Sequence, residues 1–312
     1  MLSVGSMVVR VGTGIGALPF SSGKAFFRWV DALEEGGVDS VWQTDRLVSH
    51  RPFLESMSTM AAIAGATDRI KFGMNAVVAS TRDPLVLAKQ CATIDYLSDG
   101  RLLPCFGIGD RRAPEFAATS RATKGRGRRA DELLTLLRLL WSEEDVSFEG
   151  EFFQYSGCTI SPRPVQKTLP LWIGGHSKAA ISRTARLGTG WLGGLRTPAM
   201  VEPIIASIKA ELVQHGRTIA EDHYGASFGY RFGSWDEPLA QALSKARLPV
   251  PEGFDPRDYY AIGGAAEIIE RCRQFVAAGA EKLVLIPIAA GDDELFDQSR
   301  RLIEEVIPAV QT

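Results

Sequence analysis

Long apolar runs are missing from this 312-residue sequence. None approaches the roughly 18 residues that a membrane-spanning helix needs, so no membrane partner is expected. The first residues also lack a basic segment followed by an apolar stretch, the pattern of a secretory leader, and a cytoplasmic location is the expectation. Cysteine is scarce. Cys91, Cys105, Cys158 and Cys272 stand far apart, which excludes a CxxC redox pair or a zinc knuckle and leaves isolated thiols. The four histidines, His50, His176, His215 and His223, form no HxH or HxxxH pair, so no metal site is expected. Neither charge is in surplus. Lys and Arg number 35 against 37 Asp and Glu, a net −2 that argues against nucleic acid as a partner. The densest basic run, residues 124–129, reads either as a phosphate clamp or as the solvated start of a helix, and the second is expected.

Apolar residues make up 45% of the chain, enough to bury one large core or two smaller ones. Short apolar runs alternate with longer stretches of helical spacing. Strands are expected at 8–12, 39–43, 70–79, 102–109, 169–173, 190–193, 224–232 and 282–286. Helices are expected at 24–35, 54–66, 84–97, about 128–141, 178–187, 199–215, 265–278 and 293–306. Residues 145–162 break the rhythm and read as a β-hairpin excursion, and 233–262 read as a loop-rich insertion. Strict interleaving of eight strands with helices predicts an α/β fold with a parallel sheet, a (β/α)8 TIM barrel forming one domain over 1–312. A doubly wound open sheet is the alternative.

The glycine-rich turns bear on that choice. Residues 12–17 (GTGIGA) match a dinucleotide fingerprint in form, but six residues intervene before any helical period, and the acidic residue expected about 20 positions on at the end of the second strand is missing, Asp31 and Glu34 falling inside the helix. They read as a loop at the barrel mouth. Gly174, Gly175, His176 and Ser177 join a strand directly to a helix. Free N–H groups and the helix dipole suit an anion there, and Ser177 suits the N-cap; an ordinary tight turn is the other reading. Gly107 and Gly109 open space at the end of the fourth strand. Asp45 and Asp110 stand just past strand ends, where barrel enzymes place their chemistry.

Several stretches together resemble the luciferase-like family of flavin-dependent oxidoreductases. They are residues 84–102 (PLVLAKQCATIDYLSDGRL), 107–109 (GIG), 127–132 (GRRADE), 148–153 (FEGEFF), 162–167 (PRPVQK), 171–177 (LWIGGHS) and 187–191 (LGTGW). Their order and spacing carry the resemblance, densest over 70–195. It implies a barrel whose cofactor is FMN or the 5-deazaflavin coenzyme F-420, with the cofactor phosphate on Gly174, Gly175, His176 and Ser177. It also implies a ring lying across the third strand beside Gly107 and Gly109, over a non-proline cis peptide that by position is Asn75–Ala76.

The overall pattern looks more like the deazaflavin branch. Where that branch carries Ser-Asp-His, this chain has Thr44-Asp45-Arg46. Asp45 is retained and by resemblance contacts the deazaflavin. Arg46 stays protonated and so replaces proton transfer with electrostatic stabilisation. Asp45, Asp110 and Arg46 are the candidate catalytic residues, and Glu115 is a weaker one. Trp42, Phe53 and Trp172 read as pocket lining or, preferentially, as core. Three functions follow: F-420-dependent hydride transfer with a small organic substrate, FMN-dependent monooxygenation served by a partner flavin reductase, or flavin binding without turnover. A homodimer is the mild expectation for assembly.

Overall fold

The computed structural model describes residues 8–17, 20–238, 240–242, 250 and 254–312. The expected loop-rich insertion therefore lies in part outside the described residues.

Helix α1 (Gly23–Glu35) shows why these segments fold as they do. Ser22 caps it by accepting from the Ala25 N–H, and Phe26, Trp29, Val30 and Leu33 recur at helical spacing on its buried face. Helix α3 (Pro84–Leu97) begins with Asp83 accepting from two backbone N–H groups and Pro84 in its first turn. The other helices packed around the sheet include α2 (Ser56–Ala66), α5 (Arg126–Ser142), α6 (Lys178–Leu187) and α7 (Pro198–Gln214). A four-residue helix, α4 (Glu115–Ala118), precedes α5.

Strands β1 (Arg10–Ile15), β2 (Ser40–Gln43) and β3 (Lys71–Met74) pair in parallel in chain order. The expected third strand is interrupted: after the cis peptide Asn75–Ala76 it resumes as β4 (Val77–Val78). The fourth is likewise split into β5 (Leu102–Leu103) and β6 (Cys105–Gly107). β3 pairs with β5, and β4 pairs with β6. From β6 the sheet continues through β9 (Trp172–Gly174), β10 (Gly190–Gly193), β11 (Tyr224–Phe232) and β13 (Lys282–Pro287) back to β1. The result is an α/β fold with a curled parallel sheet, TIM-barrel-like. β7 (Val146–Glu149) and β8 (Gln154–Cys158) form a separate antiparallel pair.

One segment corrects the expectation of irregular structure over 233–262. Tyr260–Gly263 form β12, parallel to the far end of β11. β11 is nine residues long, and β10 pairs only with its first three. β12 supplies partners to the edge that β10 leaves open, which is the physical reason that so short a segment becomes a strand.

The larger core lies between the sheet and its helices. A smaller cluster joins Trp42, Cys105, Trp172, Leu192 and Val284 from five different strands. Trp42 and Trp172 meet with ring centroids 5.9 Å apart although β2 and β9 are not sheet neighbours, so the contact crosses the inside of the curl. Room for these indoles comes from glycine. A Cβ on Gly73 would stand 2.8 Å from the Trp42 ring, and one on Gly190 would stand 2.6 Å from the Trp172 ring.

At the N-terminal ends of the strands, Lys282 and Asp39 form a buried ion pair, with the ammonium 5.9 Å from the Trp42 ring centroid. Burial pushes the Asp39 carboxyl up, but the Lys282 ammonium more than offsets this and holds it below its ordinary value. Removing one partner strands the other, so Lys282→Met is expected to lower stability by about 3–5 kcal/mol. Lys282→Met combined with Asp39→Leu should lose less than the single change. Urea unfolding of both variants checks this, and a double variant as unstable as the single one would refute it.

Candidate functional site

At the C-terminal ends of the strands a cavity of about 230 Å³ collects residues remote in sequence. Gly16 and Ala17 come from the end of β1, Thr44 and Arg46 from β2, Asn75 from the β3–β4 break, and Ser227 from β11. Arg51 and Phe53 reach it from the loop before α2. The expected cis bond is present at Asn75–Ala76. Asn75 Nδ2 donates to Ser227 Oγ (3.0 Å), which donates onward to the Gly193 carbonyl (2.7 Å). This chain of bonds fixes the amide at the cavity wall.

Asp45 lies behind that wall, 6% exposed, with each carboxylate oxygen engaged. Oδ1 accepts from Ser56 Oγ (3.0 Å) and from Arg82 Nη2 (2.8 Å); Oδ2 accepts from the Val78 N–H (3.0 Å). Arg82 also reaches Glu55 Oε1 at 3.1 Å. Asp45 thus ties the end of β2 to β4 and to the start of α2.

The turn at 174–177 is built as its residue types demand. β9 ends at Gly174, Gly175 adopts φ +111°, and Ser177 caps α6 by accepting from the Ala180 N–H at 3.2 Å. The Gly175 carbonyl is pinned by Trp191 Nε1 at 2.8 Å. His176 is exposed and touches the Arg196 guanidinium at 2.8 Å. Partial desolvation, reinforced by Arg196, lowers the imidazole below its ordinary value, which leaves it neutral near pH 7. A Cβ on Gly174 or on Gly107 would meet the Ala76 methyl at 3.4 or 3.6 Å, so three small residues come together beside this turn. Gly109 has φ +69° and leaves no space for a Cβ, which would lie 2.7 Å from Val78.

The remaining candidates separate. Asp110 is exposed and paired with Arg112 (3.2 Å), whose hydrogen bond lowers its carboxyl below the ordinary value; it does not line the cavity. Glu115 starts α4, is 3% exposed, and sets Oε1 3.6 Å from Arg46 Nη1, while its Oε2 is buried without a hydrogen-bond partner. Trp42 and Trp172 belong to the interior cluster, whereas Phe53 lines the cavity. The basic run opens α5: Arg128 pairs with Glu151, Arg129 stands over Phe152, and Arg126 reaches the Gly109 carbonyl at 3.4 Å.

Arg51, Arg196 and Ser227 were not legible as site residues. Arg51 and Arg196 carry no signal beyond a position in a loop that follows a predicted strand, and Ser227 is one residue among those of a predicted strand. Among the described residues, no cluster of His, Cys, Asp and Glu is arranged to hold a metal, and no helix is long and apolar enough to cross a membrane.

The chain is 28% identical over 261 residues to the F420-dependent glucose-6-phosphate dehydrogenase of Kineococcus radiotolerans, covering 80% of this chain and 75% of that one. It is 32% identical over 178 residues to the pyrimidine monooxygenase RutA of Serratia proteamaculans, covering 54% and 47%. Among solved structures, an F420-dependent secondary alcohol dehydrogenase in complex with an F420-acetone adduct superposes with a TM-score of 0.83 at 17% identity, covering 98% of this chain and all of that one. The monooxygenase RslO1 of Streptomyces bottropensis superposes with a TM-score of 0.82 at 21% identity, covering 96% and 99%. The luciferase-like monooxygenase family model matches residues 7–282, and the chain belongs to that family.

Proposed function

We propose that the chain is a coenzyme F-420-dependent oxidoreductase that transfers hydride to or from a small organic substrate. The observation that carries the reading is the pairing of an anion-ready turn at 174–177 with a cavity at the same end of the sheet. The likeness to an F420-dependent dehydrogenase over most of the chain supports the deazaflavin. The segment similar to a pyrimidine monooxygenase favours a second reading, FMN-dependent monooxygenation served by a flavin reductase. The curled sheet is read as a closed (β/α)8 barrel, with β3–β4 and β5–β6 each counting as one strand, in a single cytoplasmic domain that pairs as a homodimer.

The residues present fit such a cofactor. Gly174, Gly175 and Ser177 offer backbone N–H groups and a hydroxyl to a phosphate, and the dipole of α6 and the Arg196 cation favour its charge. Neutral His176 adds a ring N–H. Ala76 and Gly107 are small enough to let a planar ring lie close to the strand ends, with Asn75 held beside them by Ser227. When bound, the deazaflavin supplies a carbon centre that gives or takes hydride. Asp45 acts as a positioning residue, because its lone pairs already serve Ser56, Val78 and Arg82. The Arg46 guanidinium stabilises negative charge at the cavity. Asp110 follows the C-terminal end of β6 but is paired with Arg112 and stands outside the cavity lining, so its carboxylate is the weakest of the candidate catalytic groups.

Two measurements test this. Titration of the purified protein with F-420 and, separately, with FMN, followed by fluorescence quenching, should show tight binding of F-420; tight binding of FMN alone would favour the second reading, and binding of neither would reject both. Gly175→Val forces a branched side chain onto φ +111° and against the Ala180 Cβ, 3.1 Å from where a Cβ would sit. Cofactor affinity should fall by at least about tenfold, the worth of one charge-assisted hydrogen bond. Unchanged affinity in a folded variant would remove the phosphate from this turn.

A further inference from the structure

Charge in the cavity wall is one-sided. Arg46 and Arg51 are the charged residues that line it, and among the described residues no carboxylate does. The Arg51 guanidinium has no acceptor among the described residues; only its backbone N–H is bonded, to Ser49 Oγ at 3.0 Å. Arg46 is 48% exposed and meets a single carboxylate oxygen, Glu115 Oε1, at 3.6 Å, beyond direct hydrogen-bonding distance. Glu115 itself is held inside α4 and does not enter the cavity. Two guanidinium groups against one recessed carboxylate leave one positive charge in excess, with most of their N–H donors unspent. The rest of the wall is neutral: Thr44, Asn75 and Ser227 donate or accept hydrogen bonds, and Phe53 with Leu195 offers an apolar face.

We propose that the substrate of this site is a small organic anion, a carboxylate or a similarly compact oxyanion attached to an apolar or aromatic body. Its charged end lies between Arg46 and Arg51, and its apolar part lies against Phe53. Guanidinium groups suit this work because their planar donors match the two oxygens of a carboxylate, and they hold their charge at every physiological pH. Glu115 is a positioning residue here: it keeps the Arg46 head at the cavity mouth without satisfying it. Uncompensated arginines facing a cavity cost electrostatic self-repulsion unless an anion joins them, and discrimination against neutral isosteres follows from leaving those donors unpaired.

This inference rests on the cavity being the substrate compartment of the oxidoreductase proposed above, and the test separates the two. Benzoate, benzamide and benzylammonium share one ring and differ in charge, so calorimetric titration of the purified protein with each reads the anion preference directly. Benzoate should bind about tenfold or more tightly than benzamide, and benzylammonium more weakly still. Arg46→Gln and Arg51→Gln should each weaken benzoate by about fivefold or more and leave benzamide unchanged. Arg300→Gln, in the last turn of helix 291–301 and outside the cavity lining, is the control and should change neither. Equal affinity for benzoate and benzamide, no benzoate binding, or full benzoate affinity in folded Arg46 and Arg51 variants would each overturn the proposal. F-420 and FMN titrated into the same samples report the cofactor reading on their own: anion discrimination without cofactor binding sinks that reading alone, and cofactor binding without discrimination sinks this one alone.

Discussion

Two indole rings meeting inside the sheet set the terms for the rest of the molecule. Trp42 and Trp172 come from strands that are not neighbours, yet they touch across the interior and bury two of the largest side chains in the protein. Such rings each carry on the order of 150–250 Å² of surface out of water, so the sheet gains most when it curls around them. The same contact demands glycine at positions 73 and 190, where a side chain would overlap the rings. With the interior filled, the strand ends beyond Gln43 and Gly174 stand at a fixed separation. The cavity and the 174–177 turn are built on those ends.

Around that rim, polar groups divide between scaffold and binding work, and hydrogen-bond satisfaction tells them apart. Asp45 has a donor on each oxygen and is almost completely buried, so its charge is spent on joining β2, β4 and α2. Asn75 is similarly committed through Ser227. Arg46, Arg51 and Arg196 keep unspent donors at the surface of the cavity or turn. A fold shared by proteins that differ in substrate needs this separation, because scaffold bonds must persist while the exposed donors change.

Much of the architecture was legible because it rests on period and punctuation. The eight apolar runs, the helix cap at Ser177 and the glycine turn after β9 are all local signals. Besides the loop residues of the cavity, two features escaped. Residues 260–263 gave no strand signal amid Pro, Gly and Asp, since their pairing depends on an edge of β11 that only the assembled sheet leaves open. The role of Asp45 was also indistinct: a carboxylate past a strand end reads the same whether it faces substrate or is enclosed by Ser56, Val78 and Arg82.

The order of strands and helices, the family resemblance and the anion-ready turn were therefore determined by the sequence alone. Each depends on residues within a few positions of one another, where backbone geometry links residue type directly to structure. Tertiary structure alone decided which side chains share the cavity, which carboxylates are already satisfied, and that Arg46 and Arg51 stand together without an opposing acid in the wall. Those are properties of distance between loops that the chain brings together only by curling its sheet around Trp42 and Trp172, and no local spacing encodes them.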